Sequence, residues 1–260
     1  MDLTNFFSVL SNPKRLAILE LLNDESLKAA QISKKLDSSI QALVPHTSLL
    51  LENKIISKSN DDFFTLSSLG QILVEQIKFF EFCAKNHTFF KNHDFGDVPS
   101  HLMNRLGSLA EFEFVDGLAP NITRWKNIIQ NADTHLYCIF SQPPILVADE
   151  IMNKISQNLD FMLLFGQNSI LSSDNEFITK LNLTKSRPKK NFHLGITPIV
   201  GVNLVLSDNM VSLMFPYENV TDMHSSFVSS DKSFHKWCLD FFNYKWSLSD
   251  LTSNIDVSVK

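Results

Sequence analysis

Glycine is scarce in this chain, with seven copies in 260 residues. Loops that cradle phosphates through Gly-x-x-x-x-Gly-Lys or Gly-x-Gly-x-x-Gly need glycines in one short run, and no such run occurs. A Gly-x-Ser-x-Gly nucleophile elbow is missing too. Cysteine is limited to Cys83, Cys138 and Cys238. Their odd number and wide spacing argue against a disulfide framework and a zinc site, and for a reducing cytosol. No apolar run is long enough to span a bilayer. Met1-Asp2-Leu3-Thr4 lacks a basic stretch leading into an apolar one, so neither membrane attachment nor a secretory leader is expected. The formal charge of −5 keeps the whole molecule from acting as electrostatic glue for nucleic acid.

What the chain does have is carbon. Hydrophobic residues make up 44%, and Phe occurs 22 times against three Trp and three Tyr. That is enough for one large core or two smaller ones, and most of the Phe residues are expected inside. Leu3, Phe6, Phe7 and Leu10 follow the i, i+3, i+4, i+7 pattern of a first helix. Asn12 caps a second helix, with Pro13 at its first position, where a missing N–H costs nothing; Leu16, Leu19 and Leu22 supply its buried face. Ser67 or Ser68 starts a long helix running to about Lys85, much of it apolar through Ile72, Ile77, Phe79, Phe80 and Phe82.

Between these helices lies the most informative stretch. Ala29 to Leu36 reads as a short helix, Asp37-Ser38-Ser39 as a turn, and Ser39 as the cap of a second helix through Leu43 and Leu50. Two short helices joined by a tight turn form a helix-turn-helix, whose second helix lies in the DNA major groove. Strand-like runs Ile55–Lys58 and Phe63–Leu66 flank the polar tip Ser59-Asn60-Asp61-Asp62, a hairpin placed where a wing would be.

Beyond Lys85 the texture changes. Asn86, Gly96 and Pro99 interrupt regular structure and mark residues 86–100 as a hinge. Strands are expected at Phe112–Val115, His135–Phe140, Phe161–Phe165, Phe192–Ile196, Val202–Leu206 and Val211–Phe215. Helices are expected at Asn121–Asn131, Ile145–Ile155 and Phe177–Leu181, and a last one from Asp231 to Lys245 with Ser230 as its cap. Its inner stripe is Phe234, Trp237, Cys238, Phe241 and Phe242, and the polar tail from Ser247 is expected to fray. Alternating strand and helix imply an α/β domain with a parallel or mixed sheet.

Asn12-Pro13-Lys14-Arg15-Leu16-Ala17-Ile18-Leu19-Glu20-Leu21-Leu22 resembles the opening helix of ArsR-type winged-helix repressors. His46, Leu50, Ile55 and Ile56 fall where those proteins carry His-Leu-x-x-Leu-x-x-x-Gly-Leu-Val. Phe89-Phe90-Lys91-Asn92-His93-Asp94-Phe95-Gly96-Asp97-Val98-Pro99 resembles the Phe-Trp-x-x-His-Asp-Leu-x-x-Ile-Pro signature of archaeal methanogenesis-regulator-type (Fil-type) transcription regulators. Tyr217 to Asp222 and the Trp-bearing last helix are similar to that family as well. The resemblance implies an α+β winged helix domain followed by an α/β, phospholipase-D-like, non-catalytic domain. It also implies a homodimer joined through terminal helices. The boundaries drawn are 1–85 for the DNA-binding domain with its dimerisation or linker helix, 86–100 for the hinge and 101–250 for the effector-sensing domain.

The second helix departs from the family pattern. Val44-Pro45 stands where relatives often carry Ser-Arg, and no Lys or Arg occurs from Leu36 to Asn53. A proline in a helix interior loses a hydrogen bond and clashes, at about 3 kcal/mol, so the helix is kinked or starts after Ser39. The groove-facing set is Ser39, Ile40, Gln41, Ala42, Pro45, His46 and Ser48. Gln41 can read adenine, and Ala42 or Ile40 can touch a thymine methyl. Phosphate contacts fall to Lys14, Arg15, Lys28, Lys34, Lys35, Lys54 and Lys58. Against this, Asp61-Asp62 at the wing tip repels phosphate, and residues 1–85 hold nine basic and ten acidic side chains. The alternative is a protein-interaction module whose degenerate winged helix no longer binds DNA.

His87 and His93 are set six apart beside Asp94. Too few ligands accompany them for metal, and a hydrogen-bonded cap at the hinge is the simpler reading. Phospholipase-D-type catalysis needs His-x-Lys, and His46-Thr47-Ser48, His93-Asp94-Phe95 and His224-Ser225-Ser226 all lack it, so no enzyme and no cofactor is expected. Small ligands bind α/β sheets at the carboxyl ends of strands. The effector pocket is therefore placed at Ser141, Gln142, Gly166, Gln167, Ser207, Asp208 and Tyr217, with Asn168 and Glu218 nearby. The basic run Lys185 to Lys190 reads as a solvated loop, with an anionic ligand or DNA as the alternative. Taken together, a cytoplasmic homodimeric regulator of a double-stranded DNA operator is expected, responding to a small metabolite or a protein partner.

Overall fold

The computed structural model describes residues 2–157, 159–167 and 191–251. The expected helix at Phe177–Leu181, Asn168 and the basic run 185–190 lie outside the described residues. The chain divides into two compact units, Met1–Phe80 and Glu81–Lys260.

In the first unit, α1 is Leu3–Leu10 and α2 is Pro13–Asp24, capped by the Asn12 side chain on the N–H groups of Lys14 and Arg15. A two-residue strand, β1 (Leu27–Lys28), precedes α3 (Ala29–Lys35) and α4 (Ile40–Glu52). The hairpin β2 (Ile56–Lys58) and β3 (Phe63–Leu66) follows, and α5 (Ser68–Lys85) leads out. The sheet order is β1-β3-β2, all antiparallel. β1 was not foreseen, because two residues are too few to show alternation. Ile18, Leu19, Leu22, Ile32, Leu43, Leu50, Ile55, Phe64 and Val74 close the core.

One glycine sets how two pieces of this unit meet. A Cβ on Gly70 of α5 would stand 2.2 Å from the Ile55 carbonyl oxygen. Helix backbone therefore rests directly on the chain leaving α4. Ser67 fastens the same spot, its hydroxyl donating to Lys54 O at 2.7 Å and its N–H to Ile55 O at 3.0 Å.

Among the described residues the second unit holds a mixed eight-stranded sheet in the order β11-β7-β6-β5-β8-β9-β10-β4. The strands are β4 (Glu113–Asp116), β5 (His135–Phe140), β6 (Asp160–Gly166), β7 (Phe192–Thr197), β8 (Asn203–Ser207), β9 (Val211–Met214), β10 (Ser225–Ser229) and β11 (Asp250–Leu251). β5, β6 and β7 are parallel, and every other pairing is antiparallel. The helices are α6 (Ser100–Met103), α7 (Leu118–Gln130), α8 (Ala148–Ile155) and α9 (Lys232–Ser247). Phe161, Leu163 and Phe165 of β6 point into the core that Trp125, Ile128, Ile129, Ile151 and Ile155 of α7 and α8 complete. On the opposite face Tyr137 stacks on Phe242 of α9.

The cap of α9 is Asp231, not Ser230: its carboxylate accepts from the N–H groups of Ser233 and Phe234 at 2.8 and 2.9 Å. β10 escaped the reading because Ser225-Ser226-Phe227-Val228-Ser229 looks polar. Its Ser226 hydroxyl is buried against Asn121 Oδ1, and that same amide donates to Gly117 O and His224 O at 3.0 and 2.6 Å. A satisfied hydroxyl can sit in a core. The tail does not fray at once, since Asp250 and Leu251 pair with β7.

Residues 86–100 are knit into this second unit. Phe90 stacks on Phe95 at 4.5 Å and meets Phe215 edge-on at 5.3 Å. The Asp94 N–H donates to Pro216 O, and Asp97 Oδ1 accepts from the N–H groups of Gly201 and Val202. The other Asp97 oxygen meets the ammonium of buried Lys245, which also donates to Ile199 O at 2.6 Å.

Candidate nucleic-acid interface

The four-residue passage from α3 to α4 is shaped by Asp37, whose φ of +46° turns the chain sharply. Ser39 then caps α4, its hydroxyl accepting from Ala42 N–H at 3.2 Å. Pro45 sits inside the continuous helix as its sixth residue, so the later start is excluded. It cannot donate to the Gln41 carbonyl. Two residues on, Thr47 donates its hydroxyl to the carbonyls of Leu43 and Val44.

Leu43, Thr47 and Leu50 face the core. Ser39, Ile40, Gln41 and Pro45 are exposed, while Ala42, His46 and Ser48 are half-buried on the flanks. Val44, left out of the expected set, is 50% exposed and lies on the same ridge. Its place follows from helical spacing, three residues after Gln41 and four after Ile40. The outermost surface of α4 is thus more apolar than expected.

The seven cations divide by what they already hold. Arg15 donates to the carbonyls of Val9 and Ser8 at the end of α1. Lys35 pairs with Glu25 at 2.9 Å and Lys58 with Asp62 at 2.6 Å. Lys58 thereby holds the Asp62 carboxyl below its usual range. Lys14 touches Ser38 Oγ at 3.3 Å, and Lys28 lies over the Phe63 ring at 4.8 Å. Lys14, Lys28, Lys34 and Lys54 form no ion pair among the described residues, although the Lys28 charge helps lower the Asp62 carboxyl, and all four are exposed. Burial, then the charges of Arg15 and Lys14, lower the pKa of the His46 imidazole.

Lys54 carries a further peculiarity. It follows the end of α4 with φ at +56°, and the N–H groups of Ile55 and Lys54 return to the carbonyls of Leu50 and Leu51, both at 2.9 Å. This closing turn favours glycine, and Lys54 fills the slot where the resembled repressors carry one. A side chain there costs roughly 1–2 kcal/mol.

In the second unit, Ser141, Gln142 and Gln167 follow the carboxyl ends of β5 and β6, and Gly166 closes β6, side by side on the edge formed by those strand ends. Ser141 N–H donates to Asn203 Oδ1, and Thr221 donates its hydroxyl to Ser141 Oγ at 2.6 Å. That contact brings the loop bearing Tyr217 to the same edge. Ser207 and Asp208 are the correction. β8 runs antiparallel to β5, with Ser207 opposite Leu136, so they lie at the other edge. There Asp208 Oδ1 accepts from the N–H groups of Asp133 and Thr134.

His93 is locked by two acceptors. Its Nδ1 lies 3.0 Å from Phe89 O and its Nε2 3.0 Å from Asp222 Oδ2, with the ring stacked on Phe89. Burial pushes the Asp222 carboxyl up, but the hydrogen bonds from His93 and the His224 N–H outweigh it and leave the pKa lowered. His87 turns away, to Ala84 O and Thr88. No group of three or more His, Cys, Asp or Glu among the described residues is placed to hold a metal ion. Among the same residues no helix is long and apolar enough to cross a membrane.

No protein-family model matches the chain, and no curated protein matches it. Among solved structures it is similar to TrmBL2, an archaeal chromatin protein described as showing a novel mode of DNA binding. The identity is 12% over 92% of this chain and 94% of that one, with a TM-score of 0.43. NucT from Helicobacter pylori and Nuc from Salmonella typhimurium, the latter a phospholipase D family member, are each 12% identical. Each match covers 54% of this chain and 98% of theirs, with TM-scores of 0.42 and 0.41. Likenesses this loose add no weight to any reading of the site.

Proposed function

We propose that the chain is a DNA-binding transcription regulator, a homodimer of winged helix-turn-helix domains with a signal-sensing α/β half. One observation carries this reading: α4 presents an exposed ridge after a tight turn, in a unit whose Lys14, Lys28, Lys34 and Lys54 are exposed and form no ion pair among the described residues. Ile40, Gln41, Val44, Pro45 and Ser48 would face base edges, and the four lysines would hold phosphates. The hairpin β2–β3 is the wing. Residues 1–85 form the DNA-binding and dimerising part, and 101–250 the sensing part. Exposed Leu3, Phe7, Leu69, Ile72 and Phe80 on α1 and α5 support self-association. Ser141, Gln142, Gly166, Gln167 and Tyr217, joined by Thr221, are the proposed effector edge.

A second reading rests on the apolar tip of α4. Ile40 at 44% and Val44 at 50% exposure beside Pro45 also suit docking to a protein. Selection from a random duplex library, followed by gel retardation of the enriched duplex across a salt series, separates the two. Four phosphate contacts per protomer give a dimer a log–log salt slope of about −7. Lys34→Ala should reduce that slope by about one per protomer. Absence of any retarded duplex at the lowest salt overturns the DNA reading and leaves the docking module.

A further inference from the structure

The sheet of the second unit ends on β4, which pairs only with β10 among the described residues. Backbone groups alternate along an antiparallel strand. Gly117 N–H donates to His224 O at 2.7 Å, and Val115 O accepts from Asn121, so Val115 and Gly117 face inward. The N–H and C=O groups of Phe114 and Asp116 therefore point out from the edge. An unpaired edge of this kind is a template for another strand, which proteins usually blunt or cover.

Beside that edge runs an open groove of about 670 Å³, walled by Glu113, Val115, Ala119, Pro120, Thr123 and Arg124. On the α7 side Ala119, Pro120 and Thr123 are short and leave room for an extended chain, with Arg124 and Asn127 beside them. Phe114, 47% exposed, offers carbon to the same groove. The charges decide what fits. Glu111, Glu113 and Asp116 are exposed along the strand and its approach. Arg124 pairs with Glu113 at 2.6 Å, while Glu111 and Asp116 have no cationic partner among the described residues. A second copy of β4 laid antiparallel, with Phe114 opposite Asp116, would bring the two Asp116 carboxylates to diagonal positions and add acidic surface to acidic surface, which disfavours self-pairing.

We propose that the β4 edge docks an extended basic segment of another protein, which joins the sheet as an added strand. Main-chain hydrogen bonds to Phe114 and Asp116 would supply the pairing. Lys or Arg on one face of the added strand would meet Asp116 and lie over Phe114, with Glu111 adding negative charge at the strand's approach, while the alternating apolar residues on the other face would rest in the groove against Val115, Ala119 and Pro120. The surface lies on the second unit and does not depend on whether α4 reads DNA.

The test uses the full chain and a fluorescent peptide of alternating Lys and Val. Fluorescence anisotropy should report binding, and hydrogen exchange should slow at the Phe114 and Asp116 amides while Val115 stays unchanged. A peptide N-methylated at alternate residues should lose binding. Glu111→Lys with Asp116→Lys, both at exposed positions, should weaken it about tenfold. Equal binding by the N-methylated peptide would mean charge attraction without strand addition and overturns the proposal. So does equal binding by an Asp-Val peptide, no binding of the Lys-Val peptide, or unaltered exchange at the two amides.

Discussion

The two units bury different things. In the first, the buried set is nearly all carbon, with Thr47 its one polar member among the described residues. Its surface, by contrast, leaves Leu3, Phe7, Ile72 and Phe80 outside. The second unit takes in Asn121, Lys154, Asn203, Ser212, Ser226 and Lys245, each with a hydrogen-bond partner. A small helical unit closes its core with aliphatic residues and remains apolar on the outside. A wide sheet buries polar groups along with its carbon, and each of those groups has to keep its partner.

The sharpest way to break this contrast is at the ion pairs. Asp97→Ala strands the Lys245 ammonium in the interior of the second unit and should cost about 3–5 kcal/mol. Lys58→Ala removes the exposed pair of the hairpin and should cost less than about 1 kcal/mol. Urea midpoints compare the two, and equal losses would erase the distinction.

The outside of the first unit is tested by Ile72→Glu and Phe80→Glu. Each should weaken self-association by about thirtyfold, roughly 2 kcal/mol of lost apolar burial, with little change in monomer stability. Light scattering across a dilution series reads the mass. A monomeric parent would remove α1 and α5 as the interface.

A smaller effect belongs to Asp222. Its pKa is lowered in the folded state, so its contribution is present above the ordinary carboxylate range and fades as pH falls through the folded value. Asp222→Asn should therefore cost about 1–2 kcal/mol at neutral pH and progressively less in acid. A penalty independent of pH would assign the loss to packing.

The smallest shift pits stability against binding. Lys54→Gly relieves the left-handed residue and should raise stability by about 1 kcal/mol. The same change removes one phosphate contact per protomer and should flatten the salt slope. A destabilised variant would show that the Lys54 stem packs usefully on the unit.

Much of the first unit could be read because its signals are local. Asn12 with Pro13, Ser39 ahead of Ile40, and the spacing of Leu43 and Leu50 each announce themselves within one turn. The second unit was legible as alternating strands and helices, and Phe161–Phe165 as a strand buried on both faces. Strand direction was not legible, since nothing in Asn203–Ser207 says that β8 reverses against β5. That single unknown placed Ser207 and Asp208 on the wrong edge. β10 was missed for a related reason: Ser226 reads as surface until Asn121, 105 positions away, supplies its partner. The exposure of Val44 follows from helical spacing, three residues after Gln41 and four after Ile40.

The contact at Gly70 has no slack in it. Two stretches of main chain meet there with no side chain between them to bend or swing aside. Any side chain at position 70 would have to push α5 off the exit of α4, so the separation of the two is set by main chain alone.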